Sequence, residues 1–306
     1  MTMQTTLIFH AGAGEGEHSE AELVAALAAA GMTADPCPVD ADAIRDAFAS
    51  NLYDRVVVAG GDGTVALAIT AAAELLNEGH AVPPLAILPI GGLNNIACSF
   101  GIEGSIETIV AGWAKGQAAE IDVGIARGPW GRRCFVEAAG FGALSEGLSG
   151  ITISPEGQAE KQAVGRAAFA EALAKAQPSD VMVTLDGERR SGPLLMLEVL
   201  NIPRIGPRLA FAPDADPADG RLDALLVRPG DRQAMLDWLR ADCAQPCPVP
   251  TERARKIRVE GDFACCRLDD PKRERPTDDA AITLSTMSRR VALILPVPQP
   301  DTGDCA

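Results

Sequence analysis

Apolar positions along this chain fall into two textures. Up to about residue 120, short unbroken apolar runs alternate with stretches in which alanine and leucine recur at helical spacing. TLIFH (6–10) predicts a first strand that ends in the glycine-rich AGAGEGE. Ser19 and Glu22 then have the spacing of a capping box before LVAALAAA, and Gly31 stops that helix. A short helix from about Asp40 to Ser50 precedes the strand RVVVAG, followed by a helix over 65–78, a turn at Gly79, the strand LAILP (85–89) and a helix near 105–115. Strands that are apolar throughout and alternate with helices predict a mainly parallel sheet covered on both faces.

Beyond residue 120 the texture changes. EIDVGIAR, CFVEAAG, VMVTLDG, PLLMLEVL, RLDALLV, KIRVEG and AITLS are strand candidates punctuated by Gly, Pro and Asp, with helices only around 156–176 and 231–242. That pattern predicts an antiparallel β-sandwich. The fold class is therefore α/β, with an N-terminal nucleotide-binding domain over 1–125 and a sandwich domain over 126–298. The strand-like RRVALILPV (289–297) falls in the second domain, and 299–306 is a loose tail. The catalytic cleft is expected between the domains.

Composition narrows the picture. The chain has 306 residues, 47% of them hydrophobic, enough to bury real cores. A formal charge of −15 argues against a nucleic-acid partner, which requires a basic footprint. Eight scattered cysteines and three histidines match neither a disulfide-stapled domain nor a four-ligand zinc pattern. No apolar run is long enough to span a membrane and the first residues do not read as a signal peptide, which points to the cytoplasm.

The informative stretch is Gly60-Gly61-Asp62-Gly63-Thr64, between VVVA and an apolar helix. Glycines let backbone approach a ligand closely, and amides at a helix start can face a phosphate. Asp62 repels a bare phosphate, so it faces a metal, a hydroxyl or backbone amides; Thr64 caps the helix or donates to phosphate. A second turn, Pro89-Ile90-Gly91-Gly92-Leu93-Asn94-Asn95, follows the next strand. Neighbouring parallel strands share a carboxyl edge, so the two turns are expected side by side around one phosphate tail. Asn94 either bonds the nucleotide, shapes the loop or caps a helix.

These residues, with Ile121-Asp122-Val123-Gly124, Ala139-Gly140-Phe141-Gly142 and the acidic stretch Ala212 to Asp223, resemble in order the diacylglycerol kinase catalytic family in its bacterial soluble form, which includes sphingosine and ceramide kinases. The resemblance implies ATP and Mg²⁺ as cofactors, a neutral lipid with a primary hydroxyl as acceptor, and peripheral contact with the inner membrane surface. NAD kinases share GGDGT; the second loop and the acidic stretch favour the lipid side. The family carries its base in a DGE motif, to which Leu268-Asp269-Asp270-Pro271 is the positional match. That makes Asp269 the expected base, with Asp270 as the alternative. Asp216, Asp219 and Asp223 are a candidate structural Mg²⁺ site, or else ordinary capped turns. Departures occur at His10, Ala11, Ala66, Leu67, Gly92, Asn95, Asp270 and Pro271, and those at Ala66, Leu67, Gly92 and Pro271 keep open a silent nucleotide- or lipid-binding regulator. A homodimer has only prior frequency in its favour.

Overall fold

The computed structural model describes residues 2–151, 157–261, 266–274 and 281–297, the side chains of 15 and 270–274 excepted. The chain divides into two compact units, 1–121 with 289–306, and 122–288.

The first unit contains β1 (Met3–Phe9), α1 (Glu20–Ala29), β2 (Met32–Cys37), α2 (Ala41–Ala49), β3 (Arg55–Gly60), α3 (Asp62–Glu78), β4 (Leu85–Pro89), α4 (Asn95–Ser99), α5 (Ile106–Gly112) and β5 (Gln117–Ile121). The predicted capping box closes α1: the Ser19 hydroxyl accepts from the Glu22 amide while the Glu22 carboxylate accepts from Ser19 N. Gly31, at φ +80°, turns the chain out of that helix in a conformation that a Cβ disfavours. β2 was not anticipated, because MTADPC is polar and contains Pro36. It is held as an edge strand, where a missing N–H is tolerated. The buried Thr5 and Thr6 hydroxyls donate to the Thr33 and Asp35 carbonyls at 2.7 and 3.0 Å and fix its register on β1.

The second unit runs β6 (Gly124–Gly128), β7 (Gly131–Phe135), β8 (Ala138–Gly142), α6 (Ala143–Ser149), α7 (Gly157–Lys175), β9 (Ser179–Leu185), β10 (Glu188–Leu194), β11 (Met196–Leu200), β12 (Leu222–Val227), α8 (Arg232–Arg240), β13 (Thr251–Ala254), β14 (Lys256–Gly261), β15 (Cys266–Leu268), β16 (Asp270–Glu274) and β17 (Ile282–Thr286). Its strands form two antiparallel sheets, β10-β9-β14-β17-β6-β7 and β13-β12-β11-β8-β15-β16. Phe135, Val183, Ile257 and Leu284 of one and Phe141, Leu197, Val199 and Leu222 of the other make a single buried core. Period-2 alternation puts these residues on the inner faces, as a sandwich requires. Phe169 of α7 packs edge-on to Phe211, centroids 6.1 Å apart, so the apolar side of that helix is core.

The last strand, β18 (Val291–Leu295), corrects the expected boundary. It inserts between β4 and β5, giving the first sheet the order β2-β1-β3-β4-β18-β5 with β18 antiparallel to β5. Buried Val291 and Leu293 complete the first core. The run EIDVGIAR, read as one strand, is likewise divided into β5 and β6. Asp122, between them, donates its amide to Pro217 O and begins the second unit.

Candidate functional site

In the first unit, β3 is buried along its whole length and delivers the GGDGT turn to the carboxyl edge of the sheet. The helix begins inside the motif: Gly61 is the N-cap of α3 without a side-chain cap, and Thr64 N and Val65 N both donate to Gly61 O. The first amides of a helix have no acceptor within it and carry the positive end of its dipole. At Gly63 a side chain would meet nothing within 4 Å, so these amides border open space. Gly60 is required for a different reason. A Cβ there would lie 2.7 Å from the Cβ of Thr64, whose buried side chain fills the inside of the turn.

The second turn lies against the first, as expected from the shared edge. A Cβ on Gly91 would collide with the Gly61 backbone, 2.9 Å from its nitrogen. Asp62 ties the turns together, its Oδ1 accepting from Ile96 N at 2.9 Å. Of the partners open to it in sequence, it therefore faces a backbone amide. Asn94 shapes the loop rather than capping α4: Oδ1 accepts from Gly91 N, Nδ2 donates to Pro89 O and Gly91 O, and its φ is +53°. Gly92 is half-buried in the same loop. Gly14 joins the group, with no room for a side chain against Ile90 O. Three glycine turns thus meet at one sheet edge.

In the second unit, Asp269 is wrapped by the bend between β7 and β8. Its carboxylate accepts from Val136 N at 2.6 Å, Glu137 N at 2.7 Å and Ala138 N at 3.0 Å, and its φ is +51°. Two of these amides share Oδ1, so Oδ2 keeps one lone-pair direction. Burial pushes the Asp269 carboxyl up to about 6, against the pull of the three amides and of Arg267. The side chains of Asp270 and Pro271 lie outside the described residues.

A charged pair behind this turn escaped the sequence reading. Arg267 Nη2 donates to Glu198 Oε2 at 2.6 Å with both side chains buried, and Arg267 Nη1 donates to Asp269 O at 3.2 Å. Glu198, Gly140 and Arg267 stand abreast on β11, β8 and β15. Gly140 is glycine because a Cβ would lie 2.5 Å from Glu198 Oε1 and 2.8 Å from Arg267 Nη2. Burial raises the Glu198 carboxyl to about 7, with Arg267 opposing the rise. Glu198 Oε1 and Arg267 Nε have no hydrogen-bond partner among the described residues. The one legible signal was a glutamate and an arginine each inside an apolar strand pattern.

The acidic stretch does not form the expected cation site. Asp216 accepts from Ala218 N and Asp219 from Arg221 N, ordinary turn bonds. Asp223 is buried and accepts from Thr251 and from Arg253 Nε, and Arg253 also pairs with Asp219 at 3.5 Å. Among the described residues no three His, Cys, Asp or Glu side chains are grouped to hold a metal. The stretch is instead clamped by Asp122, whose Oδ2 accepts from Gly220 N at 2.6 Å.

Residues 4–126 match the family described as the diacylglycerol kinase catalytic domain, and 155–265 match the YegS C-terminal NAD kinase beta sandwich-like domain. Residues 4–126 thus carry a diacylglycerol kinase catalytic domain, and much of the second unit a YegS-type sandwich domain. A diacylglycerol kinase of Bacillus subtilis is 27% identical over 204 residues, 64% of this chain and 62% of the relative. That match spans less than two thirds of the relative's length. A diacylglycerol kinase of Mycobacterium tuberculosis is 29% identical over 236 residues, 69% and 71% of the two chains. In fold, the chain is similar to a diacylglycerol kinase of Bacillus anthracis (TM-score 0.71, 22% identity, 96% and 97% covered). It is less similar to an NAD kinase of Archaeoglobus fulgidus solved with ATP (TM-score 0.53, 14% identity, 95% and 93% covered). The diacylglycerol kinase family match thus covers every residue of the three glycine turns. Among the described residues no helix is long and apolar enough to cross a membrane.

Proposed function

We propose that the protein is an ATP-dependent lipid kinase that phosphorylates the primary hydroxyl of a neutral lipid such as diacylglycerol, ceramide or a sphingoid base. The observation that carries this reading is the packing of the glycine turns within the stretch that matches the diacylglycerol kinase catalytic domain: Gly61 and Gly91 touch, and Gly63 opens the first amides of α3 to an anion. ATP, named with the Archaeoglobus fulgidus neighbour, supplies that anion as a triphosphate. The amides of residues 61–64 and the Asn94-shaped loop would hold it, stabilising charge on the transferring group without any rearrangement at the moment of reaction.

Asp269 is the base in this reading. The remaining lone pair on Oδ2 takes the proton of the lipid hydroxyl, the hydroxyl oxygen bonds to the γ-phosphorus, and the bond from that phosphorus to the β–γ bridging oxygen breaks. A carboxyl near pH 6 is ionised at neutral pH yet still basic enough to share a proton. Mg²⁺ would neutralise phosphate charge. With no three-ligand group among the described residues, it would arrive with the nucleotide, the usual way this ion is bound. Asp62 is the carboxylate nearest the loop in sequence. The lipid acceptor would bring the protein to the membrane surface as a peripheral enzyme.

The test is transfer of labelled γ-phosphate from Mg-ATP to dispersed diacylglycerol, ceramide and sphingoid base and to NAD in water, with Asp269→Ala alongside. Label in one lipid that is lost in the variant supports the class and the base. Label in NAD alone moves the protein to a soluble-nucleotide kinase. Tight ATP binding without any labelled product makes it a silent regulator.

A further inference from the structure

At the edge of the first sheet opposite the glycine turns lies a cavity of about 550 Å³. Met3, Met32 and Arg55 each open a strand there, and Ala26, Val110, Ala111 and Trp113 are among the residues that line the rest. The lining is apolar except for Arg55 and, at the rim, Glu107. The Glu107 carboxylate is exposed and held by Ser105 and its own backbone rather than by Arg55. Arg55 itself is 7% exposed, its guanidinium 5.6 Å from the Trp113 ring centroid. Among the described residues that guanidinium has no ion pair. Its Nε and the Trp113 Nε1 are enclosed without any hydrogen-bond partner.

An arginine buried without a carboxylate is costly unless something completes it. Burial alone acts on this guanidinium, pulling its pKa down, with no neighbouring charge to offset it. α1 ends beside the cavity, and the carbonyl end of a helix favours a cation. That explains a positive charge at this place but not the apolar groove beside it. In a chain of net charge −15, non-specific attraction for anions is absent, so an anion bound here needs this one cation.

We propose that the cavity is a binding site for a single-chain amphiphile with a compact anionic head, a fatty-acid-like carboxylate, whose head pairs with Arg55 and whose tail lies along the open apolar groove. Arg55 offers a planar fork that matches a carboxylate, and the volume lies in the range of ligand pockets. The site is separate from the nucleotide loops. Arg55 and Gly60 are the two ends of β3, about 17 Å apart at ~3.3 Å per residue.

The experiment is isothermal titration calorimetry of the intact protein with decanoate kept below its micelle concentration, with decanol as the neutral-headed probe and acetate as the tail-less one. Decanoate should bind one to one, at least tenfold tighter than either control, and Arg55→Gln should weaken it at least tenfold. Ala111→Phe keeps Arg55 and changes an exposed helix position. It should abolish decanoate binding with the melting temperature unchanged, which separates occupancy of the cavity from loss of fold. Decanoate heats that are absent in the wild type, unaltered in both variants or matched by acetate would each overturn the proposal.

Discussion

Two turns in this molecule are held by a carboxylate that accepts backbone amides, and they are built on opposite principles. Around Asp62 the restraint is steric: Gly60 and Gly91 are packed so closely, the latter against Gly61, that hydrogen atoms are the only side chains that fit, and the surface beyond is open. Around Asp269 the restraint is electrostatic: three amides converge on the carboxylate, and a buried arginine paired with a buried glutamate holds the carbonyl behind it. The first design leaves polar groups facing outward, where a ligand can use them. The second turns them inward, save one lone pair of Asp269 Oδ2, and leaves Glu198 Oε1 and Arg267 Nε without partners among the described residues.

The largest effect is expected where charge is buried. Arg267→Met leaves Glu198 without its counter-ion, and breaking a buried pair from one side costs about 3–5 kcal/mol. Denaturant unfolding above pH 7, where Glu198 is ionised in the wild type, should show a loss of that order. The double variant Glu198→Met with Arg267→Met should recover most of it, because two apolar groups of similar length leave no charge behind. A double variant no more stable than Arg267→Met would mean that the arginine's bond to Asp269 O, rather than the pair, carries the stability.

The contrast also explains what could be read from the sequence. The glycine turns were legible because their cause is local: five residues after VVVA, and a second turn one strand later, fix both conformation and adjacency. The helix caps at Ser19 and Gly31 were legible for the same reason. The Glu198–Arg267 pair was not, since its members are 69 residues apart and meet only when β11 and β15 flank β8. β18 was assigned to the wrong domain because an apolar strand carries no mark of the sheet it will join. The acidic stretch misled in the opposite way: carboxylates close in sequence were spent singly on turn amides and on Arg253.

The next effect tests the steric side. Gly91→Ala places a methyl against the Gly61 backbone, which cannot move aside without separating the turns. A displacement of about 1 Å in a positioning loop costs roughly a hundredfold in rate, equivalent to about 2.7 kcal/mol. Under the proposed activity, kcat/KM for ATP should fall by that order while the melting temperature changes by a few degrees at most. Gly230→Ala, which likewise meets nothing and lies outside the turns, is the control. An unchanged rate in Gly91→Ala would show that the contact between the turns does not set it.

The smallest effect is a slope. Glu198 releases its proton near pH 4.5 when unfolded but holds it to about 7 when folded. Between those values the folded chain binds the extra proton, so stability falls as pH rises through the window and levels off above it. Asp269, raised from 3.8 to about 6, adds a decline of the same sign at lower pH, so the interval from 6 to 7 belongs mainly to Glu198. Arg267 opposes the rise in both groups. Glu198→Gln removes the titration while keeping an oxygen for Arg267 to bond. Its unfolding midpoint in urea should therefore change less from pH 6 to 7 than that of the wild type, with the two curves closest at the acid end, where both side chains are neutral. Parallel curves would mean that Glu198 is already ionised at pH 6, and that Arg267 outweighs burial in setting its charge.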